Sequence, residues 1–304
     1  MEGFAHEQDL PTAKAGMALK KIVICADDFG ISSGVNQGIL ELAANGRLSA
    51  VSCLAETAGF RPSASALLTL PVDIGLHVNF TEPCAAGSGF LSLPRLIALS
   101  YLRRLDRQGI VTAIERQCTA FEAALGRAPD FIDGHQHVHQ LPIIRHALLE
   151  VIERRYAGKK LWLRSTRMAG GWFARSPYRR KAAIIAMLGN KALCQMVGAH
   201  GWRMNRRLLG VYDFSASSER YAELLRHWLT CAQAGDLLMC HPAKTATAND
   251  PLGEQRVREF AVFSDTRFHA WLAKNDVAVG RLSENGTGRR PENLPASETS
   301  RQRP

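Results

Sequence analysis

Short apolar runs alternate with longer, helix-like stretches along most of this chain. Residues Lys21–Ala26 (KIVICA) form a continuous apolar run, which is typical of a strand covered on both faces. Further strands are predicted at Leu48–Leu54, Val72–Phe80, Asp130–His137, Lys160–Ser165, Leu208–Val211 and Asp236–Cys240. Helices are predicted from Ser32 or Ser33 to Asn45, and at Phe60–Leu70, Leu93–Gln108, Val111–Leu125, Pro142–Tyr156, Ser217–Ala234 and Glu254–Lys274. This alternation predicts a parallel sheet, open or closed into a barrel, with its site at the carboxyl ends of the strands.

The size and composition are those of a soluble globular protein. The chain has 304 residues, 46% of them hydrophobic and 22% charged. No run approaches the roughly 18 consecutive apolar residues of a transmembrane helix. Residues 20–282 are predicted to form one domain, after a flexible leader at 1–19 and before a disordered tail at 283–304. The seven cysteines form no C-x-x-C pair, so we expect free thiols in a reducing cytoplasm.

Polar clusters lie where four of the predicted strands end. They are Ala26–Gly30 (ADDFG), Gly75–Asn79 (GLHVN), Asp133–His139 (DGHQHVH) and Met239–Pro242 (MCHP). Adjacent aspartates after an apolar strand are costly to bury unless a cation compensates their charge. Because successive strand residues point to opposite faces, one aspartate can bind a metal while its neighbour meets a water. The alternative is a polar turn that caps the first helix.

The histidines supply further ligand candidates. In an extended strand His135, His137 and His139 project the same way about 6.6 Å apart. All three therefore cannot bind one ion at about 2.0–2.1 Å unless the chain bends. We expect one of them to be the ligand and the others to line the pocket or orient its ligands. The alternatives are a buried hydrogen-bonded histidine network and, for His77, a packed strand residue.

Two histidines and one carboxylate leave coordination positions open, which is typical of a catalytic metal site. A metal so placed polarises a carbonyl and lowers the pKa of a bound water. Asp27 would take the proton from that water, and a histidine such as His241 would protonate a leaving amine. The alternative for His241 is a strand-terminal residue fixed by Pro242.

Together the four motifs resemble the YdjC/ChbG-like carbohydrate deacetylases, over about Ile22–Ala243. The resemblance implies an α/β fold, a distorted TIM-like (β/α) barrel with mostly parallel strands. It also implies one divalent metal ion, Zn²⁺ or Mg²⁺, and removal of an N-acetyl group from an amino sugar.

The resemblance also assigns roles to individual residues. It implies that the metal ligands are Asp28, His77 and His135. It makes Asp27 the catalytic base and places His241 near the leaving group. Arg164 matches a basic pocket residue of the family, and we expect His137, His139 and Asn79 to bind substrate beside it.

A basic insertion at residues 167–207 departs from the family pattern. From Arg154 to Arg207 there are 14 Lys or Arg and no Asp or Glu, against a net charge of +10 for the whole chain. Apolar and basic residues between Tyr178 and Val197 suit a helix at a membrane interface, interrupted at Gly189 and Asn190. One hypothesis is a lipid-linked or anionic glycan as substrate at the inner face of the membrane. The other is a basic flap packed on the barrel.

Two rival functions come from other classes. The basic region with Trp172, Phe173, Tyr178 and Trp202 has some ingredients of a nucleic-acid-binding surface, but this interpretation leaves the Asp/His clusters unexplained. A catalytically inactive, sugar-binding barrel is the third interpretation, and it gives no reason for a base beside the metal. The oligomeric state stays open, with a homodimer among the options.

Overall fold

The fold is built on one parallel sheet that curls into a half-barrel. The computed structural model describes residues 19–84, 90–168 and 178–284. Within these ranges the strands are β1 (Lys20–Phe29), β2 (Ala50–Cys53), β3 (Asp73–Val78), β4 (Phe131–Gly134), β5 (Trp162–Leu163), β6 (Arg203–Met204), β7 (Leu208–Leu209), β8 (Leu237–Cys240) and β9 (Val277–Val279). Their order is β6-β5-β4-β3-β2-β1-β8-β7, and β9 pairs with β1. All of these pairings are parallel. The predicted distorted (β/α) barrel is confirmed.

Helices cover the outer face of the sheet. They are α1 (Ser33–Ala44), α2 (Phe60–Ser63), α3 (Leu93–Tyr101), α4 (Arg107–Leu125), α5 (Ile144–Arg155), α6 (Arg179–Met187), α7 (Asn190–Ala199), α8 (Ser218–Thr230), α9 (Gly253–Ser264) and α10 (Thr266–Lys274). Two 3-10 helices span Ala64–Thr69 and His135–Gln140. Ser32 caps α1 by accepting a hydrogen bond from the Val35 amide, as its residue type predicts.

Strand β1 lies inside the sheet, between β2 and β8, and separates two apolar cores. Val23 and Cys25 face the barrel interior, whereas Ile22 and Ile24 face the helices. The next inward position is that of Asp27, which therefore ends an apolar column at the carboxyl edge. The pairing of β1 with β2 shifts register between Ala26 and Phe29. This bulge lies beside the site, where bulges often redirect a side chain.

The histidine segment differs from its prediction. The strand expected at Asp130–His137 ends at Gly134, and the chain turns into the short 3-10 helix. Gln136 and His137 have φ angles of 51° and 61°, a region that residues other than glycine rarely adopt. His135, His137 and His139 therefore do not project as one extended row, because the chain bends at the first of them.

Other boundaries changed for local reasons. The single helix predicted at Glu254–Lys274 is two helices, since Asp265 ends α9 and caps α10 by accepting from the Arg267 amide. The predicted Leu93–Gln108 helix ends at Tyr101, and Asp106 caps α4. The two-residue strand β6 and the strand β9 were not predicted.

The described part of the basic insertion contains α6 and α7. Gly189, between them, has a φ of 136° and lies so close to the Gln140 carbonyl that a Cβ atom would collide with it. Residues 169–177 of the insertion fall outside the described residues, as do nearly all of the predicted leader and tail. No single described helix is long and apolar enough to cross a membrane; α6 and α7 meet that test only as a pair bent by 50°.

Candidate active site

Three predicted ligand residues converge at the carboxyl ends of β1, β3 and β4. Asp28 Oδ1 lies 2.9 Å from His135 Nδ1 and 3.5 Å from His77 Nε2. The ligand atoms of these three buried residues all lie within 4.8 Å of one another. Asp28 has a φ of 69°, which, with the bulge, turns its carboxylate toward the histidines. Asp27 and Asp28 thus both reach this region, although a regular strand would separate them.

Each histidine of this group has its second ring nitrogen against a carboxylate. His77 Nδ1 lies 2.6 Å from Asp133 Oδ1, and His135 Nε2 lies 3.4 Å from Glu82 Oε1. Such partners fix the tautomer and the ring orientation of metal-binding histidines. Burial lowers the pKa of His77, but Asp133 and Asp28 outweigh that effect and raise it to about 10, so the site favours positive charge. The donor set therefore fits a divalent cation.

Asp28 has a second, cationic neighbour that sequence reasoning missed. Arg256 on α9 donates to Asp28 Oδ2 at 2.7 Å and to Asp250 at 2.6 Å. Its side chain is only 3% exposed. Burial raises the pKa of Asp28, but Arg256 and His135 hold it well below its usual range. Arg256 thereby keeps Asp28 ionised and leaves Oδ1 to face the histidines.

Arg164 forms ion pairs with two aspartates, Asp27 and Asp133. The Arg164 guanidinium donates to both oxygens of Asp27 at 2.6 Å, and it also lies 2.6 Å from Asp133 Oδ2. Asp27, His77 and Asp133 form a second group with ligand spacing. A cation there would compete with Arg164 for the same carboxylates, so the group that contains Asp28 is the better candidate for a metal site.

His241 lies on the other side of Asp27. Its Nε2 is 4.0 Å from Asp27 Oδ2, and the edge of Phe214 meets its ring. Burial lowers the pKa of His241 to about 4, so the imidazole is neutral at neutral pH. The backbone amide of His241 donates to Glu259 at 2.6 Å, and the Tyr212 hydroxyl donates to the same carboxylate.

The predicted substrate residues have different surroundings. Arg164 and His139 are fully buried, and His139 Nε2 donates to the Arg164 carbonyl. The Asn79 side chain holds the loop that carries Glu82, because it accepts from two loop amides and donates to the Glu82 carbonyl. Nδ1 of His137 has no hydrogen-bond partner among the described residues. Nδ1 of His139 and Nε of Arg164 also lack a partner among the described residues, but His137 is 9% exposed, whereas Arg164 and His139 are 0% exposed.

Arg256 and Glu259 left a weak signal in the sequence. They lie three residues apart on α9, on the buried face that also carries Phe263. Charged residues at positions that helical periodicity assigns to the core need partners. Nothing in the sequence indicates which partners these are, because Asp28 lies 228 residues away from Arg256.

The chain is similar to known proteins in sequence and in fold. The family described as YdjC-like protein matches residues 21–274. A carbohydrate deacetylase of Homo sapiens is 26% identical over an alignment of 308 positions. The alignment covers 92% of this chain and 95% of the human protein. A chitooligosaccharide deacetylase of Yersinia pestis (strain Pestoides F) is 30% identical over 133 residues, or 41% of this chain and 53% of that protein. A solved structure from Enterococcus faecalis V583, of a protein assigned to cellobiose-phosphate cleavage, has a TM-score of 0.62 at 21% identity. It covers 87% of this chain and 98% of its own.

Proposed function

The chain belongs to the YdjC-like family, and from this premise we propose that it is a metal-dependent deacetylase that removes an N-acetyl group from an amino sugar. The human and Yersinia relatives, named for carbohydrate and chitooligosaccharide deacetylation, support the substrate class. The observation that carries the proposal is the convergence of Asp28, His77 and His135 beside Asp27. A sugar-binding barrel without chemistry gives no reason for that second aspartate.

Asp28, His77 and His135 would hold one divalent ion, Zn²⁺ or Mg²⁺. Two imidazole nitrogens and one carboxylate suit Zn²⁺ and leave positions for water and substrate. When bound, the ion polarises the acetyl carbonyl and lowers the pKa of its water. Arg256 fixes the carboxylate of Asp28, and the carboxylates behind the histidines fix both rings.

Asp27 would accept the proton of the attacking water. Arg164 clamps both Asp27 oxygens, so the carboxylate has one orientation. Arg164 then acts as a positioning residue and not as the substrate contact that its basic character predicts, because it is fully buried. His241 is neutral before the reaction. It would receive a proton from Asp27, 4.0 Å away, and deliver it to the leaving amine.

His137 is our proposed contact for the sugar, since its Nδ1 has no partner among the described residues and it is 9% exposed, unlike the fully buried Arg164 and His139. Asn79 and His139 would shape the pocket through the backbone segments that they hold. The cationic stretch from Arg154 to Arg207 favours a lipid-linked or anionic glycan as the natural substrate. A cytoplasmic location belongs to the same proposal, supported by seven free cysteines.

Acetate release from N-acetylglucosamine, its soluble oligomers and lipid-linked glycans tests the proposal. We expect release from at least one class, loss of activity after chelation, and recovery when Zn²⁺ or Mg²⁺ is added back. Activity unaffected by chelation would remove the metal from the mechanism. Sugar binding without acetate release would favour the inactive barrel.

A further inference from the structure

Exposed apolar side chains gather around one groove of this protein. Among the described residues, six large apolar side chains are exposed, and four of them lie on or beside this groove. They are Tyr101 (48%), Leu102 (62%), Ile184 (59%) and Met187 (80%). Tyr101 at the end of α3 and Met187 at the end of α6 line the groove from two separate elements. Leu102 adjoins the first, and Ile184 lies one turn from the second.

The groove is also cationic. Its volume is about 590 Å³, and Arg145, Arg167 and Lys191 line it without any Asp or Glu among the lining residues. Burial lowers the pKa of Arg145, and the nearby positive charge of Arg103 lowers it further. Arg103 and Arg104 follow Leu102 directly after α3, and Leu91–Leu105 has no acidic residue, so the cationic character continues beyond the end of that helix. Such a surface attracts anions.

The α6–α7 pair is packed on the barrel by buried side chains and hydrogen bonds. Leu193 and Val197 of α7 are buried. The Asn190 side chain accepts from Ser165 and Thr166, and Gln140 donates to the Ile185 carbonyl. What remains outside is a mixed apolar and basic surface, which suits contact in the plane of a bilayer interface.

We propose that this groove and its rim dock the protein on a bilayer that contains anionic phospholipid. Ile184, Met187, Tyr101 and Leu102 enter the boundary between headgroups and acyl chains, while the basic residues meet phosphate. Two residues that line the groove follow the candidate site in the sequence. Pro142 comes three residues after His139, and Arg167 comes three residues after Arg164. Docking would bring the segments that carry His139 and Arg164 to the membrane surface, a role that goes beyond deacetylation.

Vesicle flotation of the full chain tests this inference. We expect binding to vesicles of phosphatidylcholine with phosphatidylglycerol, weaker binding as salt rises, and little binding to phosphatidylcholine alone. Lys191→Gln should weaken binding about fivefold, the equivalent of about 1 kcal/mol for one basic residue. Met187→Glu should weaken it on the order of tenfold, because it removes an inserted side chain and adds negative charge. Leu68→Glu is the matched control, since Leu68 is 47% exposed and does not line the groove.

Several results would overturn the docking surface. They are failure to bind anionic vesicles at low salt, equal binding to neutral vesicles, or equal losses in Leu68→Glu and Met187→Glu. Tighter binding to DNA than to vesicles would assign the basic surface to nucleic acid instead. Acetate release from a soluble oligomer, measured on the same samples, reports on the deacetylase proposal separately. Loss of one property with retention of the other thus shows which proposal has failed.

Discussion

Glu259 gives a stability prediction whose sign and size follow from its surroundings. This fully buried carboxylate accepts hydrogen bonds from Tyr212 and from the His241 amide. Burial raises the pKa of Glu259 from 4.5 to about 7, although both hydrogen bonds act in the opposite direction. The folded protein therefore holds this proton more tightly than the unfolded chain. Folding is favoured at low pH, and stability is lost as the pH rises toward 7 and through it.

The size of this loss follows from the shift in pKa. A shift of one pKa unit is equivalent to about 1.4 kcal/mol, so the shift of Glu259 corresponds to about 3 kcal/mol of unfolding free energy. Most of this stability is lost between about pH 5 and about pH 8. Glu259→Gln carries no charge at any pH and keeps an oxygen that can accept from the His241 amide. Relative to wild type, the variant should thus gain about 2–3 kcal/mol in unfolding free energy across this interval.

Urea unfolding of wild type and Glu259→Gln at several pH values measures the difference directly. Glu254→Gln, on the exposed side of the same helix, controls for loss of a negative charge and should show no comparable trend. A difference between wild type and Glu259→Gln that stays constant from about pH 5 to about pH 8 would refute the reasoning. It would mean that Glu259 is ionised in the folded protein throughout, with its hydrogen bonds outweighing burial.

The remaining predictions concern the site itself. Asp27→Asn should retain bound metal, measured by elemental analysis, and lose about 10²–10⁴-fold in kcat, and wild-type turnover would place the base elsewhere. His135→Ala should lower the metal content, whereas His137→Ala should retain it and raise the KM for the sugar; equal metal loss in both would contradict the ligand assignment. Arg164→Met leaves Asp27 and Asp133 buried without their cation, so thermal unfolding should show a loss of about 3–5 kcal/mol. An unchanged melting temperature would show that these carboxylates have another source of compensation.

Hydrophobic periodicity predicted the architecture, because strands buried on both faces leave an unambiguous apolar run. Ile22 to Ala26 of β1 is such a run, but the strand was predicted to end at Ala26 and continues through the two aspartates to Phe29. The same logic failed for Asp130–His137. There Gln136 and His137 have positive φ angles, which depend on the tertiary surroundings. Neither residue type indicates such a backbone conformation in the sequence.

The site was predictable only where its residues share a sheet edge. Asp28 and His77 were predicted to lie close together because the carboxyl ends of parallel strands share one edge of the sheet. The family resemblance then selected His135 from three candidate histidines. Arg256 and Glu259 come from a helix far along the chain, so their partners depend on how α9 docks. The burial of Arg164 was equally hidden, because strand pattern alone does not show whether a basic side chain points to solvent or to a neighbouring carboxylate.

The interior position of β1 has a consequence for how the proposed metal would bind. This strand has parallel neighbours on both sides, β2 and β8, and β9 pairs with its first residues. Its amides are therefore tied into ladders that open only with much of the domain, and hydrogen exchange there should be slow with or without metal. The ligands would be held in place in the apoprotein, so metal uptake requires little reordering of the chain. Removing the proposed ion should therefore abolish deacetylase activity but leave the domain folded.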